Sequence, residues 1–197
     1  MSLSITRSMS LILLMFSFFL NSCVKSNNTQ QQTANPFASL SNYGVLPSFK
    51  GITDSEQGID EKSLNDKVSI ISFFFSSCGD ICPKLNAVKS SIVKTYQSDR
   101  LRFLSVTVDP LNDTPSQLNN HRRVMGFSDK RWFFVRMHSD TILESFMNGM
   151  LIGYAENPQN HTARMILVDS KSRIRGYFDA LDHKQIDSLK SILDKVR

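Results

Sequence analysis

The chain has 197 residues, 41% apolar and 21% charged, which is the balance of a globular protein with one ordinary apolar core. The formal charge of +5 is modest, and no run of Lys and Arg suggests a nucleic-acid track. We therefore expect a solvated, mildly basic surface and no nucleic-acid partner.

The N-terminus has the pattern of an export signal. Arg7 precedes an uncharged apolar run at residues 9–20, which is too short to cross a bilayer but suits a signal peptide. The run ends in Leu20-Asn21-Ser22-Cys23, which resembles the bacterial lipobox, although Asn21 is unusual there. The resemblance implies a signal peptide at 1–22 and a lipid anchor on Cys23. An ordinary secretory signal and a retained membrane anchor are the alternatives.

The residues after Cys23 divide into two parts. Residues 24–36 are polar and cannot form a packed core, so we assign 23–40 to a flexible tether and 41–197 to the folded domain. A lipid on Cys23 would hold that domain in the cell envelope, at a membrane, facing the periplasm or the cell exterior.

The folded part alternates strand and helix patterns. The apolar, β-branched and aromatic run at 68–75 predicts a strand buried on both faces. In chain order we expect a short strand near 48–53, strand 68–75, helix 83–96, strand 101–108, helix 114–125, strand 131–137, helix 139–151, a hairpin of strands 163–169 and 174–178, and helix 182–196. This order predicts a thioredoxin-like α/β fold, with a central mixed sheet flanked by helices and a C-terminal β-hairpin and helix.

Cys78 and Cys82 lie where the buried strand passes into the first predicted helix. A disulfide between residues four apart would close too small a loop to stabilise the fold much. A helix N-terminus favours thiolate, which is both the nucleophile of disulfide exchange and a soft ligand for Cu(I). The position therefore indicates chemistry rather than a structural link.

Three motifs in order resemble the Sco/SenC family over roughly residues 45–195. The segment Phe75-Ser76-Ser77-Cys78-Gly79-Asp80-Ile81-Cys82-Pro83 resembles the family's copper-site loop. Val108-Asp109-Pro110-Leu111-Asn112-Asp113-Thr114-Pro115 is similar to its D-P-x-x-D-T-P segment, and His161-Thr162 stands where the family has its copper-binding histidine. The chain departs from the family pattern at Ser77 and at Gly79, where proline is common.

The resemblance implies a function and a ligand set. Cys78, Cys82 and His161 would bind copper as Cu(I), and possibly as Cu(II). The protein would be a metallochaperone rather than an enzyme, carrying copper to a cytochrome c oxidase subunit. A thioredoxin-like reductant would keep its thiols reduced before copper is loaded.

A different class of function stays open. Cys78 and Cys82 would be the redox thiols of a thiol-disulfide oxidoreductase acting on exported proteins or an oxidase subunit. The extra residue relative to Cys-x-x-Cys argues against high general activity. No Thr-x-x-Cys motif precedes Cys78, which disfavours a peroxidase, and three converging ligands are too few for a closed structural zinc site.

Other residues that could carry chemistry have simpler interpretations. Met147 and Met150 are expected in the core. The remaining histidines lack companions at metal-ligand spacing and are expected on the surface; they are His121, His138 and His183. Asp109 and Asp113 are expected to shape a turn and cap the following helix, with Thr114 or Asp113 near the N-cap.

Overall fold

The computed structural model describes residues 35–152 and 163–196. The seven strands are β1 (Lys50–Thr53), β2 (Gly58–Asp60), β3 (Val68–Phe74), β4 (Leu101–Thr107), β5 (Trp132–Met137), β6 (Arg164–Val168) and β7 (Ile174–Asp179). The four α-helices are α1 (Ile81–Thr95), α2 (Pro115–Val124), α3 (Asp140–Gly149) and α4 (His183–Leu193). A single turn of 3-10 helix, Glu61–Leu64, follows β2.

All seven strands form one mixed sheet in the order β2-β1-β5-β4-β3-β6-β7. The central strands β3, β4 and β5 are parallel, while β1, β6 and β7 pair antiparallel with their neighbours. Because β3 and β4 pair in register from Val68↔Leu101 to Phe74↔Thr107, the loops that follow them leave the same edge of the sheet. The predicted mixed thioredoxin-like sheet with a C-terminal hairpin and helix is confirmed.

Strand β3 is buried along its whole length, as its unbroken apolar run predicts. Ile70 and Phe74 belong to the core on the face covered by α1 and α4. Ile71 and Phe73 belong to the core on the opposite face, which α3 covers. The strand is therefore held between two apolar layers. This packing fixes where β3 ends and where the loop of residues 75–80, here called the thiol loop, begins.

Two elements near the N-terminus of the domain are not predicted from the sequence, namely β2 and the 3-10 turn that follows it. Strand β2 pairs with β1, and β1 pairs with β5. The side chain of Asp60 then accepts a hydrogen bond from the backbone N–H of Ser63 and caps the 3-10 turn. Three residues, of which only Ile59 is buried, are too short a stretch to show a strand periodicity.

Residues 35–40 pack against the hairpin, although the sequence analysis assigns them to the tether. Phe37 is buried in the same core as α1 and α4. The buried guanidinium of Arg175 in β7 donates to the backbone oxygens of Phe37 and Leu40. The packed structure therefore includes Phe37.

Within the described residues, none of the helices is long and apolar enough to span a membrane. The predicted signal peptide and the anchor residue Cys23 lie outside those residues.

Candidate dithiol site

Both cysteines of the folded domain lie at the junction of β3 and α1. Strand β3 ends at Phe74, and α1 begins at Ile81, two residues before the predicted start. Cys78 lies in the loop and is partly exposed, whereas Cys82 lies in the first helical turn and is fully buried. The two thiols therefore share a helix N-terminus but differ in their access to solvent.

Cys78 is the accessible thiol of the pair. The backbone N–H of Cys82 donates to the Cys78 sulfur across 3.4 Å. Partial burial by itself raises the pKa of the Cys78 thiol, but backbone N–H groups of residues 80–82 together lower it below its ordinary value. The helix N-terminus thus stabilises a thiolate on Cys78, as its position in the sequence predicts.

Cys82 has the opposite character. Burial raises the pKa of its thiol to about 12, and the negative charge of Asp113 adds to the rise. A hydrogen bond between the two thiol groups stabilises the thiolate of Cys78 and disfavours that of Cys82. The site therefore combines one accessible, acidic thiol with one buried thiol that holds its proton tightly.

The two sulfurs fit a soft metal ion in donor type and in their mutual contact, since thiolates select Cu(I). Strand β6 pairs antiparallel with β3, with Met165 opposite Ser72, so the chain just before β6 lies at the same edge of the sheet as the two cysteines. His161 itself lies outside the described residues. Among those described, no group of three His, Cys, Asp or Glu side chains could hold a metal ion.

Asp113 lies in the turn just before α2, as predicted, and Thr114 is the N-cap of that helix. The sequence does not show that Asp113 also supports the loop that carries Cys78. The Asp113 carboxylate is buried and accepts hydrogen bonds from the Ser76 backbone N–H, the Ser76 hydroxyl and the Thr107 hydroxyl. It therefore joins the start of the thiol loop to the end of β4.

His121 differs from the surface position that the sequence predicts. Its ring lies 5.5 Å from that of Phe74 and 5.8 Å from that of Phe134, and its buried Nε2 has no hydrogen-bond partner among the described residues. Burial lowers the pKa of His121, and the nearby charge of Asp113 opposes that change. The sequence could not indicate the burial of His121, because most residues of α2 are polar and show no apolar periodicity.

The predictions for the two other histidines and for the two core methionines are confirmed. His138 and His183 are exposed, and Met147 and Met150 are buried in the core beneath α3.

The thioredoxin-like sheet and the Cys-x-x-x-Cys pair at the β3–α1 junction define the class of this protein, a thioredoxin-like domain with two cysteine thiols at a helix N-terminus. Comparison with known proteins gives the family. The family model described as SCO1/SenC matches residues 38–196, so the chain belongs to the SCO1/SenC family.

Individual relatives are distant. The SCO1 protein homolog of Bacillus subtilis is 24% identical over 155 residues, which are 75% of this chain and 80% of that protein. The solved structure of BsSco, described as a member of the Sco family of cytochrome c oxidase assembly proteins with a disulfide switch, has a TM-score of 0.67 at 22% identity, covering 79% of this chain and 96% of its own. Copper-bound ScoI of Bradyrhizobium japonicum has a TM-score of 0.60 at 19% identity, covering 75% and 98%.

Proposed function

We propose that this protein binds copper through Cys78, Cys82 and His161 and delivers it as Cu(I) to the copper site of a cytochrome c oxidase subunit. The observation that carries the proposal is the pair of thiols in mutual contact at the start of α1, one of them partly exposed. The copper-bound relative with the same fold supports it. So does the oxidase-assembly role that BsSco carries in its description.

The asymmetry of the two thiols suits a carrier. Thiolates are the soft ligands that select Cu(I), and a neutral imidazole from His161 would complete a three-coordinate site. Cys78 is accessible, so an incoming thiolate of the partner can displace it first, without any change of copper oxidation state. Cys82 is buried and would keep hold of the ion until the exchange is complete.

The N-terminal sequence supports a location in the cell envelope for the proposed copper carrier. A lipid on Cys23 would keep the domain at a membrane of the cell envelope, where thiols tend to oxidise. Two cysteines in contact would form a disulfide there, which cannot bind Cu(I) as a dithiolate. A thioredoxin-like reductant is therefore part of the proposal.

Cu(I) titration of the reduced domain under anaerobic conditions tests the ligand set. We expect one copper per chain in the wild type, and strongly weakened binding in Cys78→Ser, Cys82→Ser and His161→Ala. His138→Ala is the matched control, because His138 is exposed and follows β5. Unchanged affinity and coordination in His161→Ala would remove that residue from the site.

Thiol-disulfide exchange is the second candidate function, and the same asymmetry favours it. A partly exposed thiol of lowered pKa beside a buried thiol of raised pKa is the arrangement of an attacking and a resolving cysteine. Reduction of insulin disulfides that requires Cys78 and is unaffected by His161→Ala would favour this function over copper delivery.

A further inference from the structure

A groove runs along the outer side of α1. Its first wall is the helix itself, where Pro83, Ala87 and Lys94 share one side because they are four and seven residues apart. Its second wall is formed by Met125 and Phe127, in the turn that joins α2 to β5. The groove holds a cavity of about 540 Å³, and a second cavity of about 210 Å³ shares Lys94 and Phe127 with it. The two cavities therefore form one continuous depression.

The groove starts at the candidate dithiol site. Pro83 directly follows Cys82 in the first turn of α1. From Pro83 to Lys94 the helix advances about 16 Å, a length that an extended chain of about five residues spans. A protein segment bound along the groove therefore has one end beside the β3–α1 junction, where Cys78 is partly exposed.

The groove exposes apolar side chains. Met125 is 40% exposed, and its neighbour Val124 is 72% exposed. Ala87 is exposed and its side chain is small, so the middle of the groove stays open. The flexible thioether of methionine adapts to the shape of a partner. Exposed apolar groups around a concave surface are typical of an interaction site.

The charge of the groove is positive. Neither Lys94 nor Arg123 forms an ion pair within the part of the chain that the structure describes. Lys94 lines both cavities, and the Arg123 backbone oxygen accepts from the N–H of Gly126, which lines the second. Among the described residues that line the cavities, the acidic one is Asp129, and it is paired with Arg131 at 2.6 Å. The uncompensated charge therefore favours an acidic partner.

The shape of the groove indicates what kind of partner it fits. A depression between a helix and a turn accommodates a protruding protein segment, whereas a planar membrane surface meets the convex parts of a protein. Apolar walls with a positive charge at one end complement a segment that carries an apolar side chain and a carboxylate.

We propose that this groove is the docking site for the protein that receives copper, through an acidic segment of the cytochrome c oxidase subunit. An apolar side chain of that segment lies between Ala87 and Met125, and a carboxylate lies on Lys94. The inference deepens the proposed copper function and depends on it for the identity of the partner. Docking here holds the ligands of the acceptor close to Cys78, which raises their effective concentration at that thiol.

An NMR titration of the isotope-labelled, reduced and metal-free protein tests the docking site. The probe is the copper-site domain of a cytochrome c oxidase subunit, also reduced and metal-free. We expect the largest changes in chemical shift along the groove, at Ala87, Lys94 and Gly126. The turn at Lys171 should show little change, because it lies at the opposite edge of the sheet from the thiol loop.

Two substitutions separate the shape of the groove from its charge. Ala87→Phe fills the middle of the groove and should raise the dissociation constant of the probe about tenfold. Lys94→Glu reverses the charge and should raise it about fivefold at low ionic strength, with a smaller effect in high salt. Because both residues are exposed, the melting temperature and the rate at which iodoacetamide labels Cys78 should keep their wild-type values.

Ser191→Phe and Lys171→Glu are the matched controls. Ser191 is exposed on α4, and Lys171 is exposed in the turn between β6 and β7. They introduce the same bulk and the same change of charge away from the groove, so both variants should bind the probe as the wild type does.

Wild-type affinity in both Ala87→Phe and Lys94→Glu, or no binding of the probe at all, would overturn the inference. It would also fall if phosphatidylglycerol vesicles, or a higher concentration of this protein alone, produced the same shifts, since a membrane or a second copy would then occupy the groove. The titration contains no copper, so it decides the docking site even where Cu(I) titration shows that the wild type binds no copper and the proposed function fails.

Discussion

The backbone N–H of Ser76 donates a 3.0 Å hydrogen bond to the carboxylate of Asp113, across a sequence separation of 37 residues. The same carboxylate also accepts from the Thr107 hydroxyl at 2.5 Å, so it connects the thiol loop to the end of β4. Two motifs that are far apart in the sequence are thus one structural unit, and the second motif supports the first.

Replacing Asp113 with Ala should therefore destabilise the protein, because it removes the acceptor for the Ser76 N–H, which ties down the thiol loop. We expect the free energy of unfolding to fall by about 2–4 kcal/mol, measured by urea denaturation. Asp109→Ala is the control, since Asp109 is only partly buried and its carboxylate, among the described residues, accepts side-chain hydrogen bonds from its loop neighbour Asn112. Equal losses in the two variants would contradict the supporting role of Asp113.

The two thiols should react with alkylating agents at very different rates. Cys78 is partly exposed with a lowered pKa, whereas Cys82 is buried with a pKa raised to about 12. At pH 7 iodoacetamide should label Cys78 first, since only thiolate reacts. Peptide mass spectrometry locates the label. In Cys78→Ser protein Cys82 should react hardly at all at this pH, and rapid labelling of Cys82 would contradict its burial.

The central strands and their order along the chain could be predicted from sequence, because the apolar pattern that indicates each strand is local, whereas the order of the strands in the sheet could not. The residues of β3 together form a mostly apolar run that indicates a buried strand, and a turn precedes this run. The location of the two cysteines at a helix start could also be predicted, because the helical pattern after them is local. Their difference in pKa could not be predicted, since it depends on Asp113 and on the core that closes over Cys82.

The buried face of α1 shows where the sequence pattern fails. Apolar periodicity selects Leu85, Val88 and Ile92, but Asn86 and Lys89 are also fully buried on this helix. Hydrophobic patterns assign polar residues to solvent. Lys89 can be buried because hydroxyls and a carbonyl of two strands meet its amine, an arrangement that only the assembled sheet creates.

Arg175 should hold the segment before β1 against the hairpin. Its guanidinium donates to the Phe37 and Leu40 carbonyl oxygens, and its Nε lies 3.8 Å from the Asp169 carboxylate. In Arg175→Met, which keeps the aliphatic stem, limited proteolysis should cut near Leu40 several times faster than in the wild type. Arg173→Met serves as the control, because the Arg173 side chain bonds to Asp169, whereas its link to the N-terminal segment is a backbone bridge to Val45 that the substitution keeps. Equal cutting of both variants would contradict this assignment.

Lys89 should make the stability of the fold depend on pH. Burial lowers the pKa of its amine well below the ordinary value, and the amine lies 5.5 Å from the Trp132 ring centre, with neutral partners from β3 and β4 around it. The unfolded chain, with a lysine pKa near 10.4, binds this proton more readily than the folded chain does. Between the two pKa values the free energy of unfolding therefore rises with pH, by at most about 1.4 kcal/mol per unit.

Lys89→Met should remove this dependence, because methionine fills a similar volume and has no proton to bind. As the pH is lowered from about 10, the wild type should lose stability relative to the variant until the folded-state pKa of Lys89 is passed, below which the difference stays constant. Urea denaturation at a series of pH values measures the slope. Lys94→Met, on the exposed side of the same helix, should keep the wild-type slope. If Lys89→Met follows the wild-type curve over the whole range, the buried amine is not the titrating group.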